Sequence, residues 1–480
     1  MLESGGNAAD AATACALTLM VTDPANASPA GRCQIIFRNG CAEPKAINGT
    51  TFSSKSFSKQ AGQRPIPIPG AVSALVDFHS KNGRLPLSEV AGSALNCARN
   101  GFVLGAEQAA IWKWRQPDLV GTNLEKFFLP SGNSPNAGEV FHNPGIANFF
   151  DRFIKLQKDP YRDAEFVKDV LIRMKDAGVP WSVQEAIESP TMVGQVICRK
   201  FDLFKVWTIG KQGWGHTLID ILDRYFNSYW DERFSQEIRL ILSILHAVLG
   251  RQIAGKFGTQ EAYCSNIEDE IFDRSNINFD SLAKLIKKNA GDNPQLFQAK
   301  PDQDTTALAV CDKEENFVSI TQSIGPHFGS KVFDAETGVI FAHSYQMDNC
   351  FLPSSPDVTE LCPSILEMGD KTVALGAAGS ERIPGAVASV ICNLANGKSL
   401  FEAISAPRSN VTNLGVRIHD ELRIFLEDEL KNKSIHVEFT DHGPIDHLGI
   451  VHAVGNLKGG NWEAEADPAY SGLGLLAKQQ

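Results

Sequence analysis

Two short β-type runs, at 307–312 and 317–324, flank the turn sequence Lys313-Glu314-Glu315-Asn316. Strand side chains alternate between two faces, so such a pair predicts an antiparallel hairpin with one face in the core. With Asp312 facing Phe317, the pairing sets Thr305 opposite Ile324 and beside Ser323. A slip of one or two residues leaves Thr305 and Ser323 close. The polar, aperiodic stretch 291–304 leads into this hairpin and reads as an exposed loop that tolerates cutting.

The remaining punctuation suits a mixed α and β chain. Gly6-Asn7 is a helix N-cap signal, and 8–21 reads as an alanine-rich helix able to lie close against a sheet, stopped by Asp23-Pro24. Strands are expected at 34–38 and 44–47 around Asn39-Gly40. The segment 61–70 is a Pro/Gly-rich crossing, followed by helices at 71–81 and 87–100. From about 150 to 300 the chain reads as mostly helical and charged, as at 160–177 and 231–250. A strand at 371–375 turns through Gly379-Ser380 into a helix at 384–394, with Pro384 in its first turn. Strands return over 434–465, with a turn near 456–460.

Composition narrows the function. The 480 residues are 43% hydrophobic and 21% charged, an ordinary globular balance. A net charge of −11 argues against nucleic acid or an anionic membrane as partner. No apolar run reaches the roughly 18 residues of a membrane span. The ten cysteines include no Cys-x-x-Cys pair, which argues against a structural zinc site, and no cofactor is expected. The compartment stays open.

Asp304-Thr305-Thr306 carries the first chemical signal. Such a triplet at a strand start is commonly only a turn. It also suits a nucleophile: if the bond before Thr305 is cut, the new α-amino group can act as general base for the Thr305 hydroxyl. An α-amino group has a pKa of about 7.7–8.0, close to working pH. Gly379-Ser380 carries the second signal. Between a strand and a helix, its backbone N–H groups can be a plain tight turn or can stabilise an oxyanion. His327, His343, His442 and His447 show no ligand spacing, and no Gly-x-Ser-x-Gly elbow occurs.

In combination these segments resemble the γ-glutamyltranspeptidase (glutathione hydrolase) family. The matching stretches are GGNAADAATACALTLMVTDP, PIPIPGAVSALVDFHSKNGRLPLSEV with ALNCARNGF, DTTALAVCDKEENFVSIT, Gln346-Met347-Asp348-Asn349, GAAGSERIPGAV and SLFEAISAPR, in the family's order and thin only between about 180 and 300. The resemblance implies an α+β fold, a four-layer αββα sandwich of two antiparallel sheets covered by helices. It implies a precursor cut between Asp304 and Thr305 into segments 1–304 and 305–480 that stay together as a heterodimer. It also implies a family strand upstream of Met1, so the chain is expected to be a fragment or to carry a misplaced start.

Carried over by position, the resemblance makes Thr305 the nucleophile and Ser323 the hydroxyl that touches it. Gly379 and Ser380 become the oxyanion donors, provided that Ser380 keeps a negative φ. Asp348 and Arg382 are retained. The substrate positions depart from the family. Thr50 stands where an Arg pairs with the glutamyl carboxylate, and Asn349 where an Asp holds the ammonium. Gly325, Thr359 and Glu360 replace an Asn and two serines, and Gln346 keeps its type. Arg32, in the altered glycine loop, is a displaced cation. These changes point to a small-molecule amide whose acyl group need not be γ-glutamyl. A glutathione hydrolase or transpeptidase with a rearranged pocket, and an uncleaved pseudoenzyme, are the alternatives.

Overall fold

The computed structural model describes residues 1–256, 277–290, 305–349, 351–411, 415–433, 435–445, 447–458, 461–470 and 472–477. Its main strands are β1 (Arg32–Arg38), β2 (Lys45–Gly49), β3 (Met192–Gly194), β4 (Val196–Lys200), β5 (Lys205–Ile209), β6 (Thr306–Cys311), β7 (Phe317–Ser323), β8 (Ser364–Met368), β9 (Lys371–Ala378), β10 (Ile450–Lys458) and β11 (Asn461–Ala466). Five form one sheet, in the order β3-β2-β1-β7-β6. Six form the second, in the order β11-β10-β9-β8-β5-β4. Both sheets are antiparallel throughout, and both draw strands from either side of position 305.

Period-two alternation assigns each strand residue to a layer. In the first sheet Cys33, Ile35, Ile47, Leu308 and Ile320 pack against the helices α1 (Ala8–Thr22) and α2 (Ala71–Asn82). The neighbours Ile36 and Phe317 point the other way and meet Ile365, Ala374 and Val454 of the second sheet. Outward from the second sheet, Leu366, Val373 and Leu375 pack against the helices α3 (Gly215–Asn227) and α4 (Ile383–Ala395). The four layers are therefore α, β, β and α, the expected sandwich.

The α1 helix begins where its cap predicts. The Asn7 side chain accepts from Ala9 N and Asp10 N, each at 3.1 Å, while Asp10 Oδ2 accepts from Asn7 N at 2.8 Å. The helix is also tied to the hairpin at two points. Ala8 N donates to Asp312 Oδ2 at 2.8 Å, placing a carboxylate at the positive end of the helix, and Gln322 Nε2 donates to Ala16 O at 3.1 Å.

The structure corrects two expectations. The hairpin register is shifted by one residue, with Cys311 facing Phe317 and Thr306 facing Gln322. Residues 192–209, expected to be largely helical, supply β3, β4 and β5. β4 is an edge strand, half-buried at its start and exposed at its end, so it lacks the apolar alternation of a central strand. The stretch 291–304, Asp304 included, lies outside the described residues.

Candidate active site

The site grows from the register at one end of the first sheet. Continuing the β6–β7 ladder by one pair sets Thr305 across from Ser323. On its other side Ser323 pairs with Arg32 of β1. The β1–β2 ladder pairs Cys33 with Gly49, so the next step sets Thr50 beside Arg32. Thr305, Ser323, Arg32 and Thr50 thus form one row across four adjacent chain segments. They share a face with Ile36 and with Ser319, whose hydroxyl donates to Leu375 O at 2.9 Å across the sandwich. The row therefore points between the sheets, towards the end of β9.

There β9 leads into the turn at Gly379 and Ser380. Gly379 has φ +124°, and a Cβ there would stand 3.1 Å from Gly449 Cα. Ser380 has φ +54°, against the expected negative value. A left-handed conformation costs a non-glycine residue about 1–2 kcal/mol. Arg382 holds the turn, with Nε donating to Gly379 O at 2.7 Å and Nη1 to His447 O at 2.9 Å. A 3-10 turn, Ser380–Arg382, follows and continues into α4.

A recess opens where the row and the turn meet. Thr305, Ser323, Gly325, Gln346, Thr359, Glu360 and Ser380, all singled out from sequence, line it together with Arg32. Thr305, Ser323 and Ser380 are buried at 5%, 7% and 8% exposure. The Ser323 hydroxyl accepts from Gly325 N at 3.0 Å. Gly325 has φ +91°, and a Cβ there would meet His343 O at 2.9 Å, so the position requires glycine. Thr359 is tied through N and Oγ1 to Gln212 O. Gln346 bridges Ser355 Oγ at 2.6 Å and Val358 N at 3.3 Å.

Thr50, Asp348, Gly379 and Arg382 lie outside the lining. Thr50 is buried, its hydroxyl donating to Asp357 O at 2.8 Å. Asp348 forms an ion pair with Lys59 and stands 3.7 Å from His343 Nε2. Gly379 and Arg382 stand behind Ser380. Asn349 closes the short helix Tyr345–Asn349.

Asp357 lines the recess and escaped sequence reading. Its Oδ1 accepts from Ser344 Oγ at 2.6 Å and its Oδ2 from Thr51 Oγ1 at 2.7 Å. Arg32 Nη1 stands 3.6 Å from the same Oδ2. Burial raises the carboxyl pKa above its ordinary value, opposed by Arg32 and the two hydroxyls. No local pattern announces this residue, because Thr51 lies 306 positions away along the chain. Among the described residues no cluster of His, Cys, Asp and Glu suits a metal ion, and no helix is long and apolar enough to cross a membrane.

The architecture is that of the N-terminal nucleophile hydrolases. It superposes on a cephalosporin acylase from Bacillus halodurans with a TM-score of 0.81 at 19% identity, covering 100% of this chain and 93% of that one. The family profile described as Gamma-glutamyltranspeptidase matches residues 1–475, and the chain belongs to that family. Similar relatives include "Glutathione hydrolase proenzyme 1" of Schizosaccharomyces pombe, 23% identical over 450 residues, covering 85% of this chain and 71% of that protein. The "Glutathione hydrolase proenzyme" of Bacillus subtilis is 22% identical over 523 residues, covering 96% of this chain and 86% of that protein.

Proposed function

We propose that the chain is an amidohydrolase and acyltransferase whose nucleophile is Thr305, freed by self-cleavage after Asp304. The observation that carries the reading is the placement of Thr305. It is buried at the head of β6, across from the Ser323 hydroxyl, and lines one recess with Ser380. In this reading the freed α-amino group of Thr305 takes the proton of Oγ1 as that oxygen attacks the substrate carbonyl. The oxyanion falls to the backbone N–H of Ser380, which lines the recess although its φ of +54° is not the negative value expected, with Gly379 shaping the turn from outside the lining. The same proton passes to the departing amine, leaving an acyl ester on Thr305, which water hydrolyses or an acceptor amine takes up. The segments 1–304 and 305–480 stay together as a heterodimer, because both sheets are built from strands of each.

The acyl group need not be the zwitterionic γ-glutamyl head. Thr50 brings no cation, its hydroxyl being committed to Asp357 O, and Asn349 is neutral by residue type. A carboxylate and an ammonium deprived of those two partners must find others in the recess or cost several kcal/mol. The names of the relatives, glutathione hydrolases in one case and a cephalosporin acylase in another, support amide hydrolysis on more than one acyl class. One observation favours the alternative of a glutathione hydrolase with a rearranged pocket: Arg32 and Asp357 bring both signs of charge to the recess. Intact mass after purification tests the mechanism. The 52.2 kDa chain should yield products of about 33 and 19 kDa by share of length. A homogeneous uncut chain, stable for days at neutral pH, removes the case for it and leaves a pseudoenzyme.

A further inference from the structure

The long helix Gln236–Lys256 buries Ile244, Ala247 and Val248 in one cluster with Leu218 of α3 and Val387 of α4. A Cβ at Gly385, in the first turn of α4, would stand 2.9 Å from Ile244 Cγ2, so the long helix touches α4 just past the turn at Gly379 and Ser380. Further along, two consecutive residues of the long helix reach two walls of the recess. Gln252 Nε2 donates to Glu381 Oε2 at 2.7 Å, across 129 positions of chain, and Glu381 directly follows Ser380. Arg251, 8% exposed, has its guanidinium 5.3 Å from the ring centroid of Trp214, and Trp214 N donates to Leu361 O at 3.2 Å. Ser380 and Leu361 both line the recess, whereas Gln252 and Glu381 do not.

The turn requires a brace on this side. Ser380 is held at φ +54°, and a side-chain-bearing residue stays in that region only where its surroundings over-determine it. Arg382 ties the turn one way, to Gly379 O and His447 O. The bond from Gln252 ties it the other way, to the outer helix layer. A relaxed φ at Ser380 would turn its peptide plane and re-aim the N–H that the plane carries.

We propose that Gln252 and Glu381 are positioning residues: their hydrogen bond fixes the backbone of Ser380 and so aims its N–H into the recess. The proposal rests on the reading in which that N–H holds the oxyanion. Because neither residue lines the recess, loss of their bond should act on the transition state and leave substrate binding alone.

The test reverses the bond. Gln252→Glu sets two carboxylates face to face, and adding Glu381→Gln restores one donor and one acceptor with their roles exchanged. The self-processed enzymes are assayed on γ-glutamyl- and butanoyl-p-nitroanilide. Gln252→Glu should lower kcat by about tenfold or more, the scale of a misaligned catalytic group, with KM unmoved. The reversed pair should recover most of that loss. A Gln252→Glu enzyme with wild-type kcat, a loss carried by KM, or a reversed pair no better than Gln252→Glu alone overturns the proposal. If the wild type cleaves neither anilide, the failure belongs to the oxyanion reading, and amide hydrogen exchange over 376–386 judges the brace. Gln252→Glu should then speed exchange there and the reversed pair should slow it again; unchanged exchange overturns the proposal. Should Gln252→Glu fail to fold, Gln252→Ala decides by the same readouts. A lowered kcat, or faster exchange, at an unchanged melting temperature supports the brace, and neither change overturns it.

Discussion

Thr305 and Ser323 face each other at the open end of the β6–β7 ladder, both pointing between the sheets. The Ser323 hydroxyl accepts from Gly325 N, which fixes the orientation of its oxygen. A hydroxyl held in this way is suited to donate towards its cross-strand neighbour.

Thr305→Ala should therefore leave one uncut 52.2 kDa chain with no turnover, while its melting temperature stays near that of the uncut wild type. Ser323→Ala removes only the supporting hydroxyl, a net effect of roughly 1 kcal/mol or more. It should slow self-cleavage several-fold without abolishing it. Mass spectrometry over time reads both, and normal processing of Thr305→Ala would sink the nucleophile assignment.

The hairpin that carries this pair was legible in the sequence because its signals are local: a turn between two runs, and a polar stretch before them. The α1 start was legible for the same reason, through Asn7 and Asp10. The far wall of the recess was not. Asp357 meets Thr50 and Thr51 across more than 300 positions, and no periodicity records such a contact. Nor does any local rule put a serine at positive φ; Ser380 adopts it because Arg382 and the following helix hold the turn.

The turn makes opposite predictions at adjacent positions. Gly379→Val puts a β-branched side chain at φ +124° and within 3.1 Å of Gly449 Cα. It should lower turnover by about 10²-fold or more, the scale of losing one oxyanion donor. Ser380→Gly relieves the left-handed strain of roughly 1–2 kcal/mol but adds unfolded-state freedom of about 0.5–1 kcal/mol. Its stability should rise by up to about 1 kcal/mol, with activity retained. Chemical denaturation and steady-state rates read the two, and a strongly destabilised Ser380→Gly would show that the side chain, not the backbone, holds the turn.

Behind the turn, Arg408 donates to Gly449 O at 2.5 Å and pairs with Asp467 at 2.7 Å, both partners fully buried. Burial pushes the Asp467 carboxyl up, but Arg408 and His442 outweigh it and hold it below its ordinary range. Its stabilising contribution is therefore present above the unfolded value near 3.8 and is lost as pH falls below it. Asp467→Asn should cost about 3–5 kcal/mol at pH 7, because Arg408 stays buried without its counter-charge. The gap between variant and wild type should narrow as pH drops from 4 towards 3. Denaturation midpoints at the two pH values check it, and a gap that widens in acid would contradict the assignment.

The last prediction concerns the γ-glutamyl head. The sequence resemblance puts Thr50 where the family keeps the partner of that carboxylate, and the structure sets Thr50 next to Arg32 in the same row. Cross-strand neighbours on one face stand about 4.5–5.5 Å apart at Cβ, and like charges there are destabilising. Thr50→Arg with Asn349→Asp, made in the presence of Arg32, should therefore fold less stably and gain little. Adding Arg32→Gly removes the competing cation and frees the row for the new one. The triple change should raise kcat/KM on γ-glutamyl-p-nitroanilide by about tenfold or more over wild type, the scale of one restored charge pair. Steady-state assays of the wild type, the double and the triple variant on that anilide decide the point. A double variant that gains as much as the triple would mean that Arg32 does not compete with the new cation in the row.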